Sequence, residues 1–362
     1  MPHIVVLGAG VIGLSSALRV QAQGHAVTIV ARDFPSGSEI IDAQNQINYT
    51  SPWGGAHNRL VPPTNAAEDR EHGMSVRTFD YMYAIQARYP EAGITLMKGI
   101  EYIENPSDAY RSLTEEKARK QLGMLGFKLL SRRDLPQGVN WGCEYDTWCV
   151  NPMVYCSFLL RRFAILGGSV LRREVRDPRE VFSWDFEAGP VDVLINASGN
   201  GFGDENMFIT RGQTCLVANP CSVTVTRQNA DGSWTFCVPR GFDGGTIIGG
   251  TKEPDNWDPN PSIEVRKELL RKFAATYPQI LDRNGNFTVM KDVVGRRPTR
   301  KGGMRVENET VDGDKRIIHA YGLGGRGYEL SWGLADVVAQ LLDEHLNGTS
   351  APPYVSESKS KL

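Results

Sequence analysis

The sequence predicts an α/β fold in which a doubly wound, dinucleotide-binding sheet is interleaved with a second, antiparallel-β domain. Three observations carry that prediction. The chain opens on an apolar strand, a glycine turn and a helix within residues 1–17. It returns to buried apolar strands near 191–199 and 317–321, each closing on small residues. Between them, residues 205–290 read as alternating β runs broken by Asp-Gly turns, a strong hairpin signal.

Ile4-Val5-Val6-Leu7 is wholly apolar, as a strand buried on both faces must be. Gly8-Ala9-Gly10-Val11-Ile12-Gly13 follows at once, and Leu14–Gln23 then reads as a helix. In that context G-x-G-x-x-G is a dinucleotide fingerprint. Gly8 permits the tight turn, Gly10 lets backbone amides approach a pyrophosphate, and Gly13 lets helix and strand pack closely. The helix N-terminus adds positive potential. Ala26–Val30 is a second buried strand, ending at Arg32-Asp33, and Asp33 lies about twenty residues past Gly13, where a ribose-binding acid is expected.

Residues 34–48 are polar and irregular, a loop. The run Thr50-Ser51-Pro52-Trp53-Gly54-Gly55-Ala56-His57 has the small residues that let backbone approach a flat ligand. Residues 64–89 carry helical spacing, and 114–121 read as a solvated helix face. Asn151 as N-cap with Pro152 at the first turn starts a helix to Gly167. Ser169–Leu171 and 191–196 are strands, and Ala197, Ser198 and Gly199 then fall at a strand's carboxyl end, where doubly wound sheets hold ligands. The β meander follows, interrupted by one amphipathic helix at 261–277. Phe287–Val294 is a strand leading into Gly295-Arg296-Arg297-Pro298. Ile317–Tyr321, the glycine turn Gly322–Gly327 and a helix over 329–346 form a second place where helix amides can face an anion.

Composition bounds the function. The 362 residues, 41% hydrophobic and 23% charged, suit two globular domains. A net charge of −2 offers no cation excess for nucleic acid. No apolar run approaches the ~20 residues of a membrane span, and no signal peptide is expected. The six cysteines show no C-x-x-C pair, the histidines are scattered, and no metal site is expected. The hard chemistry therefore belongs to a cofactor. A reduced flavin carries negative charge that the second helix N-terminus stabilises, whereas a reduced nicotinamide is neutral, so flavin fits better.

Ile317–Gly327 followed by Gly333-Leu334-Ala335 resembles the D-amino-acid oxidase family signature at every fixed position. Supporting matches are Gly8–Ala17, Ser51-Pro52-Trp53 with Gly55-Ala56, Arg211-Gly212-Gln213, Gly249-Gly250-Thr251 and Gly295-x-Arg297-Pro298. They span nearly the whole chain in family order. The resemblance implies a Rossmann-like, glutathione-reductase-type flavoprotein with non-covalent FAD. It implies oxidation of D-amino acids by hydride transfer to the flavin, with no catalytic side-chain base, and return of the electrons to O2 as H2O2. It places the FAD-binding domain in residues 1–60, 140–204 and 291–350, and a substrate and interface domain in 61–139 and 205–290.

Carried over residue by residue, the resemblance makes Arg297 the clamp on the α-carboxylate, a task for a planar fork. Phe236, Lys252 and Gly325 also border the substrate. Phe236 stands where the family usually has a tyrosine and cannot hydrogen-bond. Lys252 stands where D-aspartate oxidases carry an arginine, and its ammonium favours acidic substrates, with Arg227 as a helper. FAD contacts are expected from Gly8, Ala9, Gly10, Val11, Ile12, Gly13, Arg32, Asp33, Ser51, Gly55, Ala56, Ser198, Gly199, Gly324, Gly325, Gly327 and Tyr328. His57 replaces the asparagine of close relatives. Ser360-Lys361-Leu362, on a polar tail at 351–362, reads as a peroxisomal address for an import receptor. A homodimer is expected. Preference for acidic D-amino acids, glycine or sarcosine oxidation, a nicotinamide-dependent dehydrogenase and a non-catalytic FAD-binding protein stay open as alternatives.

Overall fold

The computed structural model describes residues 1–36 and 47–348. A six-stranded sheet runs in the order Arg305–Val311, Lys315–Tyr321, Val193–Asn196, His3–Leu7, Ala26–Ala31 and Ser169–Arg172. All neighbours pair in parallel except the first two, which form an antiparallel edge. Its central strands, Val193–Asn196, His3–Leu7 and Ala26–Ala31, are largely apolar and buried because both faces are covered, whereas the edge strands Arg305–Val311 and Ser169–Arg172 are partly exposed. Ile4 and Val6 pack under the helices Val11–Gln21 and Gly327–Asn347, while Val5 and Leu7 face Val181, Val191 and Ile317. His3–Leu7 thus lies between Ala26–Ala31 and Val193–Asn196: Val5 pairs with Thr28 and with Leu194.

The second sheet has ten strands. Its main path is Glu253–Pro254, Met207–Val217, Thr246–Gly249, Trp234–Pro239, Val223–Gln228, Ile94–Ile103, Trp141–Val150 and Ala56–His57. Val289–Arg300 lies along Met207–Val217, and Lys128–Leu129 along Trp141–Val150. The meander predicted over 205–290 is present, but the sheet is not wholly antiparallel, because Val223–Gln228 pairs in parallel with Ile94–Ile103. Ile94–Ile103, Trp141–Val150 and Arg305–Val311 are strands the sequence did not announce. Glu101 explains part of this: it is 2% exposed, and Arg59 neutralises it, so an inward-facing charge hides the alternation. Trp141–Val150 and the whole of Val289–Arg300 pair within the larger sheet, whereas the sequence expectation grouped 140–204 and 291–350 with the cofactor domain.

Local signals explain the helices. Asn65 caps Ala66–Arg88 by accepting from Ala67 and Glu68 amides, and Thr114 caps Glu115–Leu122. Asn151 precedes Pro152–Ile165 but its side chain makes no cap, donating instead to the Gly241 carbonyl at 3.3 Å. The helix Ile263–Thr276, capped by Ser262, covers one face of the large sheet through Leu269 and Phe273 against Val225, Cys237 and Ile248. The other face carries Phe236, Gly249 and Thr214 in one cross-strand row. No helix among the described residues is long and apolar enough to cross a membrane.

Candidate active site

A cavity of about 390 Å³ lies at the carboxyl ends of the parallel strands, the place where doubly wound sheets bind ligands. Gly8–Ile12 form one wall. Arg32 and Asp33 stand at the end of the second strand beside Arg173 and Glu174, and Ser51, Ser198 and Gly199 line the middle. Gly322–Gly324 and Gly327 form the far wall.

The glycine turn is built for backbone contact. Gly8 has φ +106°, and a Cβ there would lie 2.5 Å from the Ala197 carbonyl oxygen. A Cβ on Gly13 would lie 1.9 Å from the Gly8 carbonyl oxygen. The helix that starts at Val11 has no side-chain cap, and the one that starts at Gly327 has none either. Both leave amide donors facing the cavity, with Ser51 Oγ accepting from Val11 N at 3.0 Å. An extended diphosphate cofactor with an electronegative ring fits this pair of cradles. Gly8–Gly13 would hold the pyrophosphate, Arg32 and Asp33 the adenosine end, and the Gly324–Gly327 turn the flavin ring.

Some expected cofactor residues serve from behind the wall. Gly13 packs on Gly8, and Gly55 and Ala56 do not line the cavity: Gly55 lies against Ile247, Phe236 and Val238, and Ala56 pairs with Val150 in the large sheet. The Tyr328 side chain turns into the core, where its hydroxyl donates to the Ser51 carbonyl at 2.7 Å and meets Cys156 Sγ at 3.1 Å. Tyr49, which sequence reasoning passed over, does similar work: its hydroxyl donates to the Ala9 carbonyl at 2.7 Å. Arg240 was also missed. It is 4% exposed, pairs with no carboxylate among the described residues, and donates to the Gly54 carbonyl at 2.7 Å. Burial pulls its pKa down to about 10. It ties down the Ser51–Gly54 segment.

On the neighbouring sheet face, Arg297 lies over Gly212, where a Cβ would come within 2.3 Å of its guanidinium. Gly212 is thus the space the arginine occupies. Arg297 donates to the Thr251 carbonyl at 3.3 Å and has no carboxylate partner among the described residues; burial lowers its pKa. Gly325 sits beside its side chain, where an added Cβ would come within 3.8 Å of the Arg297 Cδ. The Phe236 ring fills the space above Gly249 and Gly250 on the same face. Lys252, next to Thr251, is exposed and has no acidic partner among the described residues. Arg227 does not join it: its guanidinium is held by Glu104 at 2.6 Å and by the Gln137 carbonyl. Arg211 likewise is occupied, by Glu253 and two loop carbonyls, and pins the turn at 253–260.

His57 is enclosed, with Nδ1 lacking a hydrogen-bond partner, and burial together with nearby Arg59 pushes its pKa down to about 3. The unfolded chain takes up this proton near pH 6.5, while the folded protein resists it until about pH 3. Stability should therefore rise with pH across that window and level off above it. Urea unfolding at pH 4.5 and 7.5 should show His57→Asn losing less stability on acidification, by more than about 1 kcal/mol relative to the parent. Equal losses would discard this account of His57. Among the described residues no cluster of side chains could hold a metal ion.

A sheet crevice whose two glycine turns would cradle an extended dinucleotide, beside a second sheet bearing a guanidinium with no acidic partner among the described residues, has the form of a dinucleotide-dependent enzyme site. The family model described as FAD dependent oxidoreductase (DAO) matches residues 3–341. A D-aspartate oxidase of Talaromyces thermophilus is 42% identical over 355 residues, covering 94% of this chain and 95% of that one. A D-amino-acid oxidase of Schizosaccharomyces pombe is 30% identical over 346 residues, covering 92% and 93%. Among solved structures, glycine oxidase from Bacillus cereus aligns with a TM-score of 0.70 at 15% identity, covering 97% and 96%, which shows the shared fold. The chain belongs to the DAO family of FAD-dependent oxidoreductases.

Proposed function

We propose that the protein oxidatively deaminates D-amino acids. A D-amino acid, O2 and water give the 2-oxo acid, ammonia and H2O2. The observation that carries this reading is Arg297, a half-buried guanidinium without an acidic partner, beside Gly325 and facing the row that holds Phe236. Its fork would grip the α-carboxylate and fix the Cα–H direction, so orientation supplies the catalysis. FAD, when bound, supplies the hydride acceptor and the path of the electron pair to O2. The amide ends of the Gly327 helix favour negative charge on that side of the cavity. Phe236 offers the substrate an apolar wall and excludes water, without a hydroxyl for the carboxylate. Peroxide detection over D-alanine, D-valine, D-aspartate, D-glutamate and glycine tests the reading; no peroxide from any D-amino acid would overturn it.

Acidic substrates form the second reading. It is supported by the 42% identity to a D-aspartate oxidase and by the unpartnered Lys252 ammonium one residue from the Arg297–Thr251 contact. Lys252→Met should lower kcat/KM for D-aspartate and D-glutamate about fivefold, the worth of one exposed charge pair. D-alanine should change less than about twofold. An equal fall across all substrates would remove Lys252 from substrate choice. We further propose a peroxisomal location through Ser360-Lys361-Leu362, which lies outside the described residues. Fusing the last dozen residues to a fluorescent protein tests it, and diffuse cytosolic signal would refute it.

A further inference from the structure

Six free cysteines are present, and four of them, Cys143, Cys149, Cys156 and Cys215, are buried with their thiol pKa values raised by burial. The other two meet. Cys237 Sγ points at Cys221 Sγ across 3.9 Å, and both thiols reach the Val223 carbonyl, at 3.8 and 3.2 Å. Cys237 is fully buried in the strand Trp234–Pro239, opposite Val225. Cys221 is partly exposed and lies just ahead of the strand Val223–Gln228, where no sheet pairing fixes its backbone.

We propose that Cys221 and Cys237 are a peroxide-responsive dithiol, in which Cys221 is oxidised first and Cys237 resolves it into an intramolecular disulfide. The asymmetry of exposure sets the order, since solvent reaches Cys221 and not Cys237. The Cys237 thiol donates to Cys221 and lowers its pKa, with help from the Ser222 and Val223 backbone, which favours the reactive thiolate. The thiolate attacks one peroxide oxygen, the O–O bond breaks, and hydroxide leaves to become water, giving Cys221 sulfenic acid. Cys237 then gives up its proton and attacks the Cys221 sulfur, and the S–O bond breaks with loss of a second water. Two thiols and one H2O2 become one disulfide and two waters. Closing the sulfurs to about 2.05 Å asks for movement of the Cys221 segment alone. The oxidant is the peroxide of the proposed reaction, so its source rests on that reading while the thiol chemistry does not. The bridge would fasten the strand that carries Phe236 to the chain ahead of Val223.

The test uses reduced holoenzyme, treated with graded H2O2, alkylated with iodoacetamide and digested with trypsin. Cleavage after Arg227 separates the two cysteines, so a bridge joins peptides 212–227 and 228–240. The expected result is that cross-linked pair, two hydrogens lighter, with fragment ions placing the link on Cys221, and two fewer free thiols per chain. Cys237→Ser should leave a dimedone-reactive sulfenic acid at Cys221, and Cys221→Ser should give neither bridge nor label. The flavin absorbance of each variant reports that it is folded. No bridge at peroxide levels that label Cys221 in Cys237→Ser, or a link through Cys215, would overturn the proposal. Repeating the experiment with D-alanine turnover in place of added peroxide separates the two readings. A bridge with added peroxide but none with turnover keeps the dithiol and removes the oxidase as its source.

Discussion

Arg297→Ala should raise KM for a D-amino acid about 100-fold and lower kcat/KM by about 10²–10³, with FAD still bound. Removing one partner of an enclosed, charge-assisted pair costs about 2–5 kcal/mol, and each 1.4 kcal/mol is about tenfold. Nothing nearby replaces the lost fork. Arg211 is held by Glu253, Arg227 by Glu104, and Arg240 by the carbonyls of the Ser51–Gly54 segment. Lysine at 297 should recover only part of the loss, because an ammonium cannot make two parallel bonds to a carboxylate. Steady-state oxygen consumption against D-alanine concentration measures both variants. A KM unchanged in Arg297→Ala would take this residue out of the substrate site.

The second large effect belongs to the cofactor. Gly13→Ala should yield protein with FAD affinity lowered by about 100-fold, purified largely without its yellow colour. The added methyl would meet the Gly8 carbonyl oxygen at 1.9 Å and its carbon at 2.8 Å, both backbone, so only the turn itself can yield. Overpacking of this kind costs about 1–3 kcal/mol, and here the distortion falls on the amides that would hold the pyrophosphate. Alanine is otherwise the better helix former, so helix propensity cannot account for a loss. The ratio of flavin visible absorbance to protein absorbance reads the result; full flavin content would contradict the assigned role of this turn.

What the sequence made legible was local. The strand, glycine turn and helix at 3–21 depend on neighbouring residues only, and so do the hairpins around Asp231-Gly232 and Asp243-Gly244. Ile94–Ile103 was hidden because its partners, Val223–Gln228 and Trp141–Val150, lie far along the chain and because Glu101 breaks the apolar alternation. Arg305–Val311 is a half-exposed edge whose charges pair along the strand, and it carries no apolar stripe. At the site, Arg297 was legible only through a family resemblance. Its physical setting, the empty Cβ position of Gly212 across the ladder, needs register to be seen. Arg227 shows the converse: it was expected to help Lys252 from a neighbouring strand, but strand alternation turns it to Glu104, away from the Phe236 face.

The cavity walls come from residues 8–12 and 322–327, nearly opposite ends of the described chain. A bound cofactor is therefore a non-covalent cross-link between segments far apart in the chain, and holding it holds His3–Leu7 and Lys315–Tyr321 in place on either side of Val193–Asn196. Ligand that binds only the folded state stabilises it by mass action, about 1.4 kcal/mol for each tenfold excess of free FAD over its dissociation constant. The melting temperature should climb with added FAD, and dilution should act as a denaturant, so that the protein's durability in a cell becomes a readout of how much flavin that cell supplies.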